Sequence, residues 1–399
     1  MLIGVETGGL RSDGSTPQSD WARAEKQGKL PASGEGNGFA TNYQDEFAGY
    51  AEAGLKAVRL NVEWASLELT AGKFDFQRFE HERRVIDAAK DAGLEVWLTL
   101  FQRQVPGWFF EEGGFADDKS RGYFWPRYVD MCAEHFGDVV NAWTPIDEQY
   151  SWASAAYLTG THPPFRTEPR DFGAALRGTW MAWRDAWRLL RGSGAPVATA
   201  WNVAPTFVVD GSNAGRGVAA RAEKLFWDVP VRAIRDGELH IPGRHPEEVP
   251  DLRESCDIVG ISCTGAVGYQ QPSDRDAEPD TAEIVAYPTG ARVDATLRAP
   301  WAEALGLSLH RVAESLPGRD VMVSSWGVAT KHDDWRSALL RDVRVELAGA
   351  VKDGINIRAF FHRCGVDGYE GVRGYSGLTG VFDIDRNPKP SLADLTALE

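Results

Sequence analysis

The sequence predicts an α/β protein built as a single (β/α)8 barrel, the fold also called a TIM barrel. Short apolar, β-branched segments recur eight times along the 399 residues, and patterns typical of amphipathic helices separate them. Eight strands that alternate with helices over this length are typical of one closed barrel. The chain shows neither an internal repeat nor a linker, so we predict one domain over residues 1–399.

Each predicted strand is a short apolar run followed by polar or turn-forming residues. The helical pattern of residues 76–94 stops at Gly93, and residues 337–355 show a second such pattern. Two long stretches, 7–50 and 264–300, are rich in Gly, Pro and Asp and are predicted as loops over the barrel mouth. The predicted strands are residues 2–6, 57–62, 96–101, 140–146, 196–203, 257–262, 320–325 and 357–362.

The composition excludes several classes of function. A formal net charge of −15 disfavours binding to nucleic acid or to an anionic membrane surface. The four cysteines are scattered, without a C-x-x-C pair, which indicates reduced thiols rather than a metal site or a disulfide framework. The start of the chain does not resemble a signal peptide, and no window is apolar enough to span a membrane. We therefore predict a cytoplasmic protein without metal or cofactor, and the sequence indicates no oligomeric state.

Barrel chemistry is placed at the carboxyl ends of the strands, and two of these ends are informative. Strand four ends on Asp147 and Glu148. This pair could simply favour a helix N-terminus, or it could supply a general acid whose pKa is raised in a dry pocket. Strand seven, in "VMVSSWGVAT", delivers Ser324, Ser325 and Trp326 to the barrel mouth, and none of these side chains is a carboxylate.

Several motifs in the same order resemble those of the family 1 glycoside hydrolases, the retaining β-glucosidases and β-galactosidases. "EHFGDVVNAWTPIDEQYSWASAAYLTGTHPP" (134–164) resembles their F-G-D turn, W-x-T-F-N-E-P motif and the following tyrosine-leucine-threonine-glycine stretch. Four further segments resemble, in order, the family's first strand, second strand, H-W-D-L-P region and C-terminal region. They are "LIGVETGG", "AGLKAVRLNVEW" (53–64), "LEVWLTLFQRQVPGW" (94–108) and "GYEGVRGYSGLTGVFDIDRNPKPS" (368–391). The resemblance covers essentially the whole chain and implies the barrel fold.

The same resemblance implies a departure at the catalytic positions. Glu148 matches the family's acid/base glutamate, whereas Asp147 replaces the asparagine that holds the sugar 2-hydroxyl. Ser325 stands where the family has its nucleophilic glutamate. A serine hydroxyl is a weak nucleophile without a neighbouring base, so ordinary double-displacement hydrolysis is expected to be severely impaired.

Sugar-binding positions have changed as well. Two family features survive, the F-E-W glutamate as Glu370 and, as Arg59, the arginine that normally pairs with the nucleophile. The resemblance and the strand ends together give these candidate binding residues: Arg11, Arg59, Glu63, Gln102, Arg103, Asn202, Cys263, Thr264, Trp326, Arg363, Asp367 and Glu370.

These substitutions leave two questions open. A water molecule in the space left by Ser325 would need a base, for which Glu63 and Asp147 are candidates. The arginines gained at the site would suit a carboxylate, sulfate or phosphate group of a ligand. Equally, they could pair with acids of the site itself.

The sequence therefore predicts an enzyme with the family 1 fold and a non-standard mechanism. Its partner would be a small-molecule glycoside or an anionic sugar-like ligand, with Glu148 as proton donor and base. The reaction would be atypical hydrolysis, glycosyl transfer, or a biosynthetic rearrangement or elimination. The alternative is a catalytically silent carbohydrate-binding barrel. An ordinary β-glucosidase is the weakest interpretation, because residues 319–331 contain only Asp320, at the wrong end of strand seven.

Overall fold

The computed structural model describes residues 1–272 and 283–398. Within these ranges, eight parallel strands form one curled sheet, in the order β4-β3-β2-β1-β8-β7-β6-β5. Each strand thus lies beside its neighbour in sequence, as in a (β/α)8 barrel. The strands are β1 Leu2–Gly8, β2 Ala57–Asn61, β3 Glu95–Phe101, β4 Ala142–Ile146, β5 Trp201–Asn202, β6 Ile258–Ser262, β7 Asp320–Trp326 and β8 Ile357–His362.

The two end strands of this sheet are joined less regularly than the others. A single parallel bridge links Trp143 of β4 to Val197, in the segment just before β5. The backbone N–H of Ala198 donates to the carbonyl oxygen of Trp143 at 2.8 Å. The strand predicted over residues 196–203 is therefore shorter than expected, and it meets β4 through isolated bonds instead of a continuous ladder.

Helices follow the strands, and one predicted helix shows the sequence features that mark where a helix begins and ends. The helix expected over residues 76–94 spans Phe76–Asp91, capped by Asp75, whose side chain accepts from the N–H of Arg78. The helices are Gly9–Asp13, Asp20–Lys26, Phe39–Glu52, Trp64–Leu67, Phe76–Asp91, Gly107–Glu111, Asp118–Phe136, Gln149–Tyr157, Pro169–Leu190, Asn213–Glu223, Val229–Asp236, Ala302–Ser315, Asp333–Lys352 and Ser391–Thr396. One π-helical turn (Lys224–Asp228) and 3₁₀ turns at Gly114–Ala116, Pro250–Leu252 and Gly371–Ser376 complete them.

The inside of the curled sheet is filled at the amino ends of the strands. Buried side chains from seven neighbouring strand segments form one apolar cluster, and Leu2 of β1 packs against it. Because this layer closes the lower part of the sheet, only the carboxyl ends of the strands are left for a ligand pocket. The cluster contains Ala57, Trp97, Ala142, Ala198, Ile258, Met322, Ala359 and Phe361.

The two stretches predicted as loops contain regular structure. Residues 7–50 include the helices Gly9–Asp13 and Asp20–Lys26 and most of Phe39–Glu52. Within 264–300, strands Ala266–Gln270 and Glu283–Tyr287 form a small sheet with Thr206–Val208, and residues 273–282 lie outside the described ranges. Their Gly and Pro content was the wrong signal, because packing against the barrel mouth, not local sequence, sets these elements. In the described parts of the chain, no helix is both long and apolar enough to span a membrane.

Candidate active site

Glu148 lies at the carboxyl end of β4, in a strained backbone conformation. Its φ of 46° and ψ of 52° fall in the left-handed region, which non-glycine residues rarely adopt outside functional sites. Its N–H donates to the carbonyl oxygen of Ala200 at 2.8 Å, and Ser262 Oγ donates to its Oε1 at 2.6 Å. The side chain is therefore buried and fixed before any ligand arrives.

The Glu148 carboxylate borders a cavity of about 330 Å³, which we call the cationic pocket. Among the described residues, five arginines and two glutamates line it, together with His162, whose pKa is lowered to about 3 by burial and by Arg103. With the histidine neutral, the lining carries an excess of three positive charges, although the chain as a whole has a net charge of −15. The charged lining residues are Arg11, Arg103, Arg298, Arg363, Arg373, Glu148 and Glu370.

The arginines fall into two groups. Arg11 Nε lies 3.2 Å from Glu370 Oε1, and Arg363 Nη2 lies 3.5 Å from Glu370 Oε2. By contrast, Arg103 and Arg298 form no ion pair within 4.0 Å with any carboxylate in residues 1–272 and 283–398. Burial lowers the pKa of both guanidinium groups, and neighbouring Arg363 lowers each further. Two partly buried cations thus face the pocket without an ion pair to any described carboxylate, and Glu148 acts on both only through its charge at longer range.

This charge distribution controls the protonation of Glu148. Burial alone would raise its pKa, but Arg298, Arg363 and Arg103 outweigh that effect. Together with the hydrogen bond from Ser262, they lower the pKa to about 2. In the ligand-free protein Glu148 is therefore an ionised carboxylate at neutral pH, not the protonated acid that a dry pocket would produce.

A fully buried ion network lies beneath the pocket. Arg59 is 0% exposed and bridges two acids, with Nη2 3.0 Å from Glu6 Oε1 and Nη1 3.1 Å from Asp147 Oδ1. Gln102 Nε2 donates to Asp147 Oδ2 at 3.1 Å. When the charges of Arg59, Glu6 and Asp147 are counted together with those of the pocket lining, the net excess falls from three positive charges to two.

Ser325 lies near the end of β7, with its side chain beside the carboxylate of Glu6; burial raises the pKa of Glu6, and this hydroxyl is one of the groups that oppose the rise. It pairs in register with Ser262 of β6, the residue that donates to Glu148, so Ser325 and Glu148 share the same end of the barrel. Ser325 is 5% exposed and does not line the cationic pocket. Its immediate partner is a carboxylate that belongs to a different strand.

The structure brings Arg11, Gln102, Arg103, Glu148, Arg363 and Glu370 together around the pocket, with Arg59 and Asp147 directly behind them. Asn202 and Thr264 line a neighbouring cavity of about 250 Å³ that shares Arg298 with the pocket. Among the described residues, no group of three or more His, Cys, Asp or Glu side chains could hold a metal ion.

Four predicted binding residues lie away from the pocket. Glu63 Oε1 accepts from the N–H of Leu10 at 2.8 Å, and burial raises its pKa to about 8. Cys263 is buried against the helix Ala302–Ser315, where its thiol donates to the carbonyl oxygen of Ala304. The Trp326 indole packs near Phe360 in the core, and Asp367 accepts from Lys389 Nζ at 2.7 Å. Each of these four side chains therefore contacts other residues of the protein and does not line the pocket.

Sequence reasoning missed three charged residues of the site. Arg298 lies in a loop outside every motif, and Arg373 lies in the 3₁₀ turn Gly371–Ser376, at a position that the C-terminal motif leaves unspecified. Glu6 carried a usable signal, because a glutamate in the middle of a buried apolar strand is rare unless it is paired.

Comparison with known proteins identifies relatives. The model of the family "Glycosyl hydrolase family 1" matches residues 8–204, a segment that contains Glu148 but not Ser325. Beta-glucosidase 22 of Oryza sativa subsp. japonica is 24% identical, with 95% of this chain and 80% of the relative covered. Beta-glucosidase A of Thermotoga maritima is 22% identical, with 83% and 78% covered.

Solved structures show the same fold. The β-glycosidase from Pyrococcus horikoshii superposes with a TM-score of 0.90 at 22% identity, over 100% of this chain and 93% of that chain. The Thermotoga maritima β-glucosidase in complex with deoxynojirimycin gives 0.89 at 17% identity, over 100% and 97%.

Proposed function

We propose that this chain, a glycosyl hydrolase family 1-like protein, acts on a glycoside whose sugar carries an anionic group, with Glu148 as the proton-transferring residue. The observation that carries the proposal is a pair of partly buried arginines beside Glu148, Arg103 and Arg298, which form no ion pair within 4.0 Å with a carboxylate of residues 1–272 or 283–398. Guanidinium groups bind carboxylate, sulfate and phosphate through paired hydrogen bonds. An anionic ligand would supply a counter-charge at hydrogen-bond distance from these two side chains.

The same arginines link ligand binding to the protonation of Glu148. They hold its pKa near 2 in the ligand-free protein, where it has no proton to donate. An anion bound among Arg103, Arg298 and Arg363 would neutralise part of their field, so the pKa of Glu148 would rise toward its ordinary value. A neutral sugar would leave Glu148 ionised. The anionic group would therefore contribute both to affinity and to general acid catalysis.

Matched acidic and neutral sugars test the binding step. We expect a β-glucuronide to bind about tenfold to a hundredfold more tightly than the matching β-glucoside, since a hydrogen bond to a charged group contributes about 1.5–3 kcal/mol. Calorimetry at low and high salt measures the difference, which should shrink as salt screens the arginines. Arg103→Ala and Arg298→Ala should each reduce it.

The matched control is Arg358→Ala, which removes a half-exposed arginine at the opposite end of the barrel, near the start of β8. It should leave both affinities unchanged. Equal affinities for the two sugars, or a preference for the neutral one, would contradict an anion-binding pocket.

Simple aryl β-glucosides test the catalytic departure. Position 325 carries no carboxylate, and with a neutral substrate Glu148 stays ionised. We expect the kcat on 4-nitrophenyl β-glucoside to fall far below the ordinary range of about 1–10³ s⁻¹. A kcat inside that range, measured by release of nitrophenol, would show that the protein follows the standard mechanism of its relatives.

A catalytically silent binding protein is the second candidate function. The ionised state of Glu148 favours it, because a carboxylate held by arginines can serve as a fixed structural charge. The two functions differ in one measurement. A binding protein would bind the glucuronide and never release its aglycone, whereas an enzyme would release it with turnover that depends on Glu148.

A further inference from the structure

The carboxylate missing from β7 has a counterpart on β1. Glu6 lies in the middle of β1, is 3% exposed, and pairs with Arg59, the arginine that the family resemblance assigns to the nucleophile. Its Oε1 lies 3.0 Å from Arg59 Nη2, its Oε2 lies 3.5 Å from Arg11 Nη1, and the Ser325 side chain lies next to the carboxylate. The negative charge is thus supplied by β1 instead of β7, and it lies next to position 325.

Each acid near the pocket has fixed partners, and Glu6 is singled out by its position beside Ser325. Asp147 has both oxygens bound, by Arg59 and by Gln102. Glu370 is held by Arg11, Arg363 and Thr379. The earlier candidate Glu63 accepts from Leu10 and does not line the pocket.

We propose that Glu6 is the second catalytic carboxylate of this site, acting as the base for a water molecule beside Ser325. The role rests on the proposed function, in which Glu148 and an acidic glycoside occupy the cationic pocket. Glu6 takes a proton from the water, and the water oxygen forms the new bond to the anomeric carbon. The bond from that carbon to the aglycone oxygen breaks, its electron pair stays on that oxygen, and Glu148 protonates it. The products are the aglycone alcohol and a sugar of inverted configuration.

The size of Ser325 fits this route. Glu6 follows Val5, which is in register with His362 of β8 and through it with Trp326 of β7, so it lies near the carboxyl end of β7 although it does not line the pocket. A serine is shorter than a glutamate, and the proposed water would occupy that difference between Glu6 and a bound sugar. The Ser325 hydroxyl, which lies beside the Glu6 carboxylate, would orient that water toward its base.

The test begins with Glu6→Gln, which keeps the side-chain shape but cannot accept the proton. We expect its kcat on 4-nitrophenyl β-glucuronide to fall about 10²–10⁴-fold. The matched control is Glu46→Gln, which alters an equally buried glutamate paired with Arg386 at 2.9 Å, outside the site. The control should keep wild-type turnover, and circular dichroism should show both variants folded.

Azide and product stereochemistry separate a catalytic role from a structural one. Azide attacks the anomeric carbon without a base, so it should restore turnover to Glu6→Ala and yield a glycosyl azide of inverted configuration.

The double variant Glu6→Ala/Ser325→Glu should recover activity with retained configuration, because the carboxylate returns to β7. In the wild type, NMR should show the inverted sugar as the first product.

Several outcomes would overturn the role of Glu6. These are full activity in Glu6→Gln, failure of azide to rescue Glu6→Ala, a double variant no more active than Glu6→Ala, and retained configuration in the wild-type product. A wild-type protein that turns over no acidic glycoside would instead refute the proposed function, and this role would fall with it.

Discussion

Glu148→Gln is expected to lower the kcat on phenyl β-glucuronide by about 10²–10⁴-fold, the usual contribution of a positioned acid. The amide keeps the shape of the side chain and can still contact Ser262, but it cannot transfer a proton. Because the substitution also removes a negative charge from a pocket with excess positive charge, the glucuronide should bind at least as tightly as before. The variant should thus separate turnover from affinity.

The leaving group provides the control for this prediction. A nitrophenolate leaves with little help from an acid, so the loss should be smaller on 4-nitrophenyl β-glucuronide than on the phenyl substrate. Steady-state kinetics on both, together with calorimetry on the variant, measure the three quantities. Equal losses on the two substrates, or turnover at the wild-type rate, would place proton transfer on another residue.

The second large effect is expected in stability. Arg59→Met leaves Glu6 and Asp147 buried without their shared counter-charge, which should reduce the free energy of unfolding by about 3–5 kcal/mol. Arg59 is 0% exposed, so water cannot substitute for the guanidinium group. Urea unfolding of the variant and the wild type at neutral pH measures the difference.

The loss should depend on pH in a defined direction. Burial raises the folded-state pKa of Glu6, and without the opposing charge of Arg59 that pKa should rise further above the unfolded value of about 4. The penalty is then absent below the unfolded value, where the carboxyl is protonated in both states, and grows as the pH rises above it. The triple variant Glu6→Gln/Arg59→Met/Asp147→Asn removes the charges together and should recover much of the stability. A constant loss between pH 4 and pH 8 would contradict this electrostatic origin.

The barrel strands were predictable because each has a local signal. A buried parallel strand needs an apolar, β-branched run, and all eight predicted runs contribute to the main sheet. The fifth was predicted too long, because the contact of residues 196–200 with β4 depends on barrel geometry. The loop prediction for the two long stretches was wrong as well, since residues 7–50 contain helices and residues 264–300 contribute two strands that pair with each other and with Thr206–Val208.

The site was predictable only where a motif fixed the residue. Glu148, Arg11, Arg103 and Arg363 follow strand ends or motifs, and the structure collects them around one pocket. Arg298 comes from a loop whose path no local pattern encodes. Glu63 was expected at the site as a candidate base, because the resemblance aligns it with a serine of the family's second-strand motif, yet its side chain accepts from the N–H of Leu10.

The contact between Glu6 and Ser325 also constrains how this protein can evolve. Placing a glutamate at position 325 alone would set two carboxylates against each other, at a cost of about 4 kcal/mol for charges roughly 4 Å apart. Removing Glu6 alone would leave the fully buried Arg59 with one acid fewer. We expect each single change to be unfavourable and the two together to be tolerated. The two positions are then expected to show sign epistasis, so that a chain with Glu6 and Ser325 would reach one with a glutamate at position 325 only by changing both residues.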